Sequence, residues 1–437
     1  MSREPVKESS ARRRPRSPRR AALDALTDVT KNGAYANLRL KQACAGFSAQ
    51  DARFIYALCY ATLEHLLYLD HVLDAYVQGR QKPLIRNILR MGCCELLFLN
   101  TPPHAAISES VALCRAADRE AMCGFVNAVL RRIDRQRDAL PPLPEDPALR
   151  LSIRYSCPLW IVAMWLSAYG EAETEALLSA QGPGLTVRAQ YPCTTDALMA
   201  ELPCPAARGR LDENALRLPA GLDVTALPAF AGGRLAVQGE GAMLLCRALS
   251  DCRGLRVLDA CAAPGGKSAY LASLSENEIA LTCFELHPHR LALMEKTLAR
   301  LGVSASLIQR DAAQHDPAYD AAFDAVLLDV PCSGLGLLHE KPDIRYSKAP
   351  AEIDALAALQ AKILAACAPY VRPGGLLVYG TCTISRKENE DQVNAFLAAH
   401  AEFRLERLPF AESGMLQLLP EVHGTDGFFV ARMRRCI

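Results

Sequence analysis

A chain of 437 residues, 51% hydrophobic and 22% charged, has enough apolar material for about three folded domains, which excludes a disordered protein. No apolar run reaches the ~18 residues that a membrane-spanning helix needs, so a soluble protein is expected. Its seventeen cysteines are odd in number and include no Cys-x-x-Cys pair, and with no secretory signal this argues against a disulfide framework or zinc ribbon and for a reducing cytoplasm, with most thiols buried as small hydrophobes.

The formal charge of +1 is uneven along the chain. Residues 1–20 carry eight basic side chains against two glutamates, too polar to bury a core, and predict a disordered basic arm. Such an arm adds sequence-independent attraction to RNA phosphates or is simply solvated. From 21 to 140 apolar residues recur at three and four positions, with breakers at Gly33, Gly46, Gly79 and Pro102-Pro103, which predicts six or seven short helices. The run Pro141-Pro142-Leu143-Pro144 marks a linker. A small α+β region is expected over 141–240, with a helix near Leu159-Trp160 and short strands at 185–189, 215–218 and 235–238. Arg188 reads as a surface arginine, with an RNA backbone contact as the sharper alternative. A helix follows from Glu240.

From Leu255 strands and helices alternate, with strands expected at 256–258, 279–285, 305–308, 325–328, 376–379 and 427–432. This predicts a mostly parallel Rossmann-like sheet over 241–437, helices on both faces, and ligands at the carboxyl ends of its strands. Those ends carry Asp259, Glu285, Asp311, Asp329 and Thr381-Cys382, all expected to face one crevice. Between the first strand and its helix lies Pro264-Gly265-Gly266-Lys267-Ser268. Gly266-Lys267-Ser268 matches the end of a P-loop, but Cys261 stands where that motif needs its first glycine, and the G-x-G-x-x-G dinucleotide spacing is missing. An S-adenosylmethionine (SAM) site fits better, with Glu285 at a strand end to hold ribose hydroxyls and Asp311 placed likewise. Solvated loop acids remain the alternative.

Two strand ends hold cysteines: Asp329-Val330-Pro331-Cys332 and Thr381-Cys382. A single cysteine so placed would read as a core thiol, but two beside an aspartate suit a particular reaction. Carbon 5 of cytosine is too weak a nucleophile to take a methyl group until a thiolate adds to carbon 6. An acid at ring N3, for which Asp329 is the candidate, would stabilise the developing charge. The second cysteine would assist release by helping the carbon-5 proton to leave.

These motifs resemble the RNA (cytosine-5) methyltransferases of the NOL1/NOP2/Sun family. Asp259-Ala260-Cys261-Ala262-Ala263-Pro264-Gly265-Gly266-Lys267 is similar to the family's cofactor motif, Asp329-Val330-Pro331-Cys332 to its Asp-x-Pro-Cys motif, and Thr381-Cys382 to its nucleophile motif. The resemblance implies Cys382 as nucleophile, Cys332 as the residue of product release, and Lys267 and Asp329 beside the reacting base. It implies SAM as cofactor, held by Cys261, Ala262, Ala263, Pro264, Gly265, Gly266, Lys267, Glu285, Asp311 and Asp329, and no metal. Pro342-Asp343-Ile344-Arg345 and Lys387-Glu388-Asn389-Glu390 also look like family segments.

Upstream, Gly33-Ala34-Tyr35-Ala36-Asn37 and Phe125-Val126-Asn127-Ala128-Val129-Leu130-Arg131 resemble the all-helical NusB fold, an RNA-binding module, although a purely structural bundle fits the same residues. The combination resembles the RsmB/Sun branch of the family. The implied substrate is one cytosine of 16S ribosomal RNA, free or in a small-subunit assembly intermediate, and the implied enzyme is a cytoplasmic monomer. Gly239-Glu240-Gly241 stands where the family has Asp-x-Ser, and Val330 where alanine is common. An inert RNA-binding assembly factor, or a methyltransferase for transfer or large-subunit RNA, protein or DNA, are the alternatives. A DNA enzyme would attack with Cys332.

Overall fold

The structure, a computed structural model, describes residues 17–436. The basic arm expected over 1–20 lies outside the described residues except for its last four. There the Ser17 hydroxyl accepts from the Arg20 amide and caps helix α1 (Pro18–Asn32), with proline in the first turn. Six more helices follow: α2 (Ala36–Ala43), α3 (Ala49–Glu64), α4 (Leu66–Tyr76), α5 (Pro83–Leu97), α6 (Pro103–Ala116) and α7 (Cys123–Arg135). The apolar residues spaced at three and four form one core, in which Leu26, Ile55, Leu58, Ile88, Leu89, Val126 and Leu130 are fully buried. Each such side chain stabilises the bundle by roughly 1.5–3 kcal/mol. The chain divides after Leu159 into two compact units, the second running Trp160–Ile437.

Helix α8 (Pro147–Arg154), capped by Asp146, precedes α9 (Leu159–Tyr169) and α10 (Glu171–Ser179). A four-stranded antiparallel sheet comes next, built from β1 (Leu185–Ala189), β2 (Ala207–Arg208), β3 (Ala215–Leu218) and β4 (Leu235–Val237) in the order β2-β3-β1-β4. Helices α11 (Thr195–Glu201) and α12 (Pro228–Ala231) connect its strands. Strand β2 has only two exposed residues and left no periodic signal.

Helix α13 (Glu240–Arg247) leads to the large sheet. Its strands are β5 (Arg256–Asp259), β6 (Ala280–Glu285), β7 (Ser306–Gln309), β8 (Phe323–Asp329), β9 (Val371–Thr381), β10 (Phe403–Leu405), β11 (Met415–Leu418) and β12 (Phe428–Arg435). The order is β10-β12-β9-β8-β5-β6-β7, with β11 paired to β12. Helices α14 (Gly266–Leu274), α15 (Pro288–Arg300), α16 (Ile344–Ser347), α17 (Pro350–Cys367), α18 (Glu390–Ala399) and α19 (Pro420–His423) intervene. From β7 to β9 the pairing is parallel, whereas β10, β11 and β12 pair antiparallel. Val326, Leu327 and Leu328 of β8 and Leu377, Val378 and Tyr379 of β9 are fully buried, as parallel strands covered on both faces require.

Polar contacts join the small sheet to the large one. Asp212 accepts from the Tyr270 hydroxyl at 2.8 Å and pairs with Arg247 at 2.7 Å, while Arg217 pairs with buried Glu240 at 2.8 Å. Arg188 corrects the surface assignment, because it is fully buried. Its guanidinium donates to the side-chain oxygens of Gln238 and Gln190 and to the Gly266 carbonyl, and lies 4.7 Å from the Tyr270 ring centroid. Burial pulls its pKa down to about 10.

Candidate active site

Strand β5 delivers the chain into a tight turn. Gly265 there has φ +99°, and a Cβ on it would lie 3.0 Å from Met294 Cγ, so both backbone conformation and space call for glycine. A Cβ on Gly266 would meet nothing within 4 Å. Among the described residues, the Gly266, Lys267 and Ser268 amides donate to no backbone carbonyl, leaving the start of α14 able to bind an anionic group. Ala262 and Ala263 are buried, Cys261 is half-buried and Pro264 is exposed. Burial holds the Cys261 thiol well above its usual range.

Asp259 departs from its expected place in the crevice. It is fully buried beneath the turn, accepts from the Ser268 hydroxyl at 2.6 Å, and burial pushes its pKa up to about 6 against that hydrogen bond. Glu285 ends β6 almost buried, accepting the His287 amide at 2.9 Å with Arg290 at 3.4 Å. Asp311, beyond β7, is half-buried and turns back on its own loop, where it accepts from the Ala313 amide and the Gln314 side chain. The open space at Gly266, the unused amides and the acid ending β6 fit the carboxylate and ribose of SAM.

The second half of the site sits on neighbouring strands β8 and β9. Cys332 and Cys382 follow them, and their sulfurs are 3.3 Å apart. Backbone contacts fix the two loops, since Val330 donates to the Gly380 carbonyl, Gly336 to the Cys382 carbonyl and Gly427 to the Gly336 carbonyl. A Cβ on Gly336 would stand 1.9 Å from the Gly427 oxygen, so the loops close only around glycine. At the end of β8, Asp329 pairs with Lys267 from α14, Oδ2 to Nζ, at 2.6 Å. Burial lowers the Lys267 pKa, but the Asp329 carboxylate overrides it and holds the ammonium above its usual range.

The two thiols are electrostatically unlike. A hydrogen bond from Cys332 lowers the Cys382 pKa despite burial, and Lys267 and Lys341 add to the effect. The same hydrogen bond, burial and the Glu388 carboxylate drive the Cys332 thiol up. Of the two, Cys382 is the thiol that its surroundings make easier to ionise.

Lys341, Ser333, Gln360 and Trp165 escaped the sequence reading, and Glu388 entered it only within a family segment. Trp165 donates its indole N–H to the Ile384 carbonyl at 2.8 Å, two residues beyond Cys382, and lines a groove of about 550 Å³ with Trp160, Arg386 and Lys387. No local pattern marks these residues, because their roles come from helices and loops far apart in sequence.

The sequence matches the description "16S rRNA methyltransferase RsmB/F" over residues 247–434 and the NusB family over residues 16–135. It is 36% identical to the probable ribosomal RNA small subunit methyltransferase B of Bacillus subtilis, over 96% of this chain and 99% of that one. Identity to the ribosomal RNA small subunit methyltransferase B of Shewanella oneidensis is 34%, over 95% and 98%. The solved structure of a protein called PH0851 superposes with a TM-score of 0.80 at 23% identity, covering 96% of this chain and 99% of that one, which bears on the fold. Sequence match, fold and cofactor turn converge: the chain belongs to the RsmB/F family of 16S rRNA methyltransferases, carries a NusB domain ahead of the catalytic fold, and uses SAM.

Proposed function

We propose that this enzyme methylates carbon 5 of one cytosine in 16S ribosomal RNA, free or within an assembling small subunit, and that it does so through a covalent bond between Cys382 and carbon 6. The observation that carries this reading is the unlike pair of thiols 3.3 Å apart, with Lys267 and Asp329 joined beside them at 2.6 Å. The Cys382 thiolate adds to carbon 6, which moves electron density toward N3 and carbon 5. The Lys267–Asp329 pair supplies the proton-bearing group that stabilises charge at N3, so a role first given to Asp329 alone is shared. SAM, when bound, supplies the methyl group to carbon 5. The carbon-5 proton then leaves to a base, directly or through water, with Cys332 assisting, and the electrons released expel the Cys382 thiolate and restore the ring. Separate apolar clusters over 21–133 and 187–235 support a finer division into 21–140, 141–240 and 241–437.

The test is methyl transfer from labelled SAM to unmethylated small-subunit RNA, with the product mapped by bisulfite sequencing. One protected cytosine is expected. Cys382→Ala should abolish it while SAM still binds, and Cys332→Ala should accumulate RNA covalently held on Cys382. An adduct that needs Cys332 and survives loss of Cys382 would reverse the roles.

A further inference from the structure

Glu388 is a fully buried carboxylate, and among the described residues no lysine, arginine or histidine forms an ion pair with it. Such a group is costly to bury unless donors converge on it, and three do. The Ser333 amide donates to Oε1 at 2.8 Å and the Ser333 hydroxyl to Oε2 at 2.6 Å. The Gln360 amide group donates to Oε1 at 3.1 Å and also to the Pro331 carbonyl at 2.9 Å. Because the Ser333 proton is committed to the carboxylate, the 2.6 Å contact between Ser333 Oγ and Thr383 Oγ1 has Thr383 as its donor. A directed chain therefore runs from Thr383 through Ser333 to Glu388. Ser333 follows Cys332 and Thr383 follows Cys382, so the chain crosses between the two cysteine loops. Glu388 is itself fixed from behind, where the Tyr379 hydroxyl donates to its carbonyl at 2.6 Å.

We propose that Glu388 is a positioning residue for the cysteine pair, tying the Cys332 loop to the Cys382 loop so that the two sulfurs meet. This rests on the two-cysteine reading given above. Its charge also has a sidedness that the pair needs, since Glu388 lies toward Cys332 and raises that thiol, while Lys267 and Lys341 favour the Cys382 thiolate. Among the described residues the carboxylate is held by Ser333 and Gln360 and bonds to neither sulfur, so it acts through those two side chains.

The experiment compares wild type, Glu388→Gln and Glu388→Ala by three measurements: single-turnover methyl transfer to 16S RNA, SAM affinity, and the pH dependence of iodoacetamide alkylation at Cys382 and Cys332, resolved by mass spectrometry. In Glu388→Ala the loops lose their tie. Transfer should fall about 100-fold, as expected for misplacement on the ångström scale, with SAM affinity retained and the Cys382 alkylation midpoint shifted to higher pH. Glutamine keeps the shape and can donate to Ser333 Oγ. Glu388→Gln should therefore recover transfer to within about tenfold of wild type, hold the Cys382 midpoint, and let Cys332 react at lower pH. Wild-type transfer and midpoints in Glu388→Ala would overturn the proposal, as would equal loss of transfer and SAM binding in both variants, which marks a purely structural residue. If Cys382→Ala retained transfer, the two-cysteine reading would fail. The alkylation midpoints would still decide whether Glu388 ties the loops.

Discussion

At the scale of single residues, burial and charge decide which groups can react. Asp259 shows how burial, with the Asp329 charge adding to it, can push a carboxyl up, and it gives a pH prediction with a definite sign. Its folded pKa of about 6 exceeds the ordinary value of 3.8, so protonation favours the folded state. The ionised carboxylate therefore costs stability above pH 6, and that cost fades as pH falls from about 6 to about 4. Asp259→Asn keeps an acceptor for Ser268 and removes the charge. Its stability gain over wild type should be roughly 1–3 kcal/mol at pH 8 and should vanish toward pH 4, as read by urea unfolding. A gain that stays constant with pH would refute the assignment. The same arithmetic was invisible in the sequence, where Asp259 looked like one more acid at a strand end. Spacing places residues along the chain but cannot say which side of a turn a carboxylate takes.

At the scale of elements, the cofactor turn depends on the backbone of Gly265 more than on any side chain. With φ +99° and Met294 3.0 Å from a would-be Cβ, Gly265→Ala should cost about 1–2 kcal/mol. Because that strain falls on the amides at the start of α14, SAM affinity should drop about tenfold, an outcome isothermal titration can check. The alternation of buried strands with helices made this half of the fold legible, and the structure brings Lys267 of α14 against Asp329 and sets Cys332 beside Cys382. Strands β10 and β11 were missed because three or four residues of mixed burial carry no clear period. Arg188 was misread for a different reason. An arginine beside apolar residues ordinarily reaches solvent, but here two glutamine oxygens, a carbonyl and an aromatic face replace water. None of those partners is local enough to be seen in the string of residues.

The whole molecule joins a NusB-family unit to a methyltransferase unit, and each half makes a separate demand. Deleting residues 1–159 should leave SAM binding within a few-fold of wild type, because every residue assigned to the cofactor lies in the second unit. Methyl transfer to 16S RNA at low enzyme concentration should fall at least about tenfold, with a shallower dependence on salt if phosphate contacts are lost. Full activity in the truncated protein would assign RNA recognition to the catalytic unit alone. All seventeen cysteines are free, so reducing agent should change neither unit's stability.

Strand β9, which carries the nucleophile at its end, is flanked by β8 on one side and by β12 on the other. Among the strands of this sheet β12 follows all the others in chain order, and Gly427, just before it, closes against the loop that Gly336 shares with Cys382. During vectorial synthesis the cofactor turn and both cysteines thus leave the ribosome before the strand that completes their surroundings. A nascent chain that has not yet reached residue 427 carries both cysteines but lacks the β12 partner of β9 and the Gly427 contact to the Gly336 loop, so the surroundings of the nucleophile close later in synthesis than the nucleophile itself emerges.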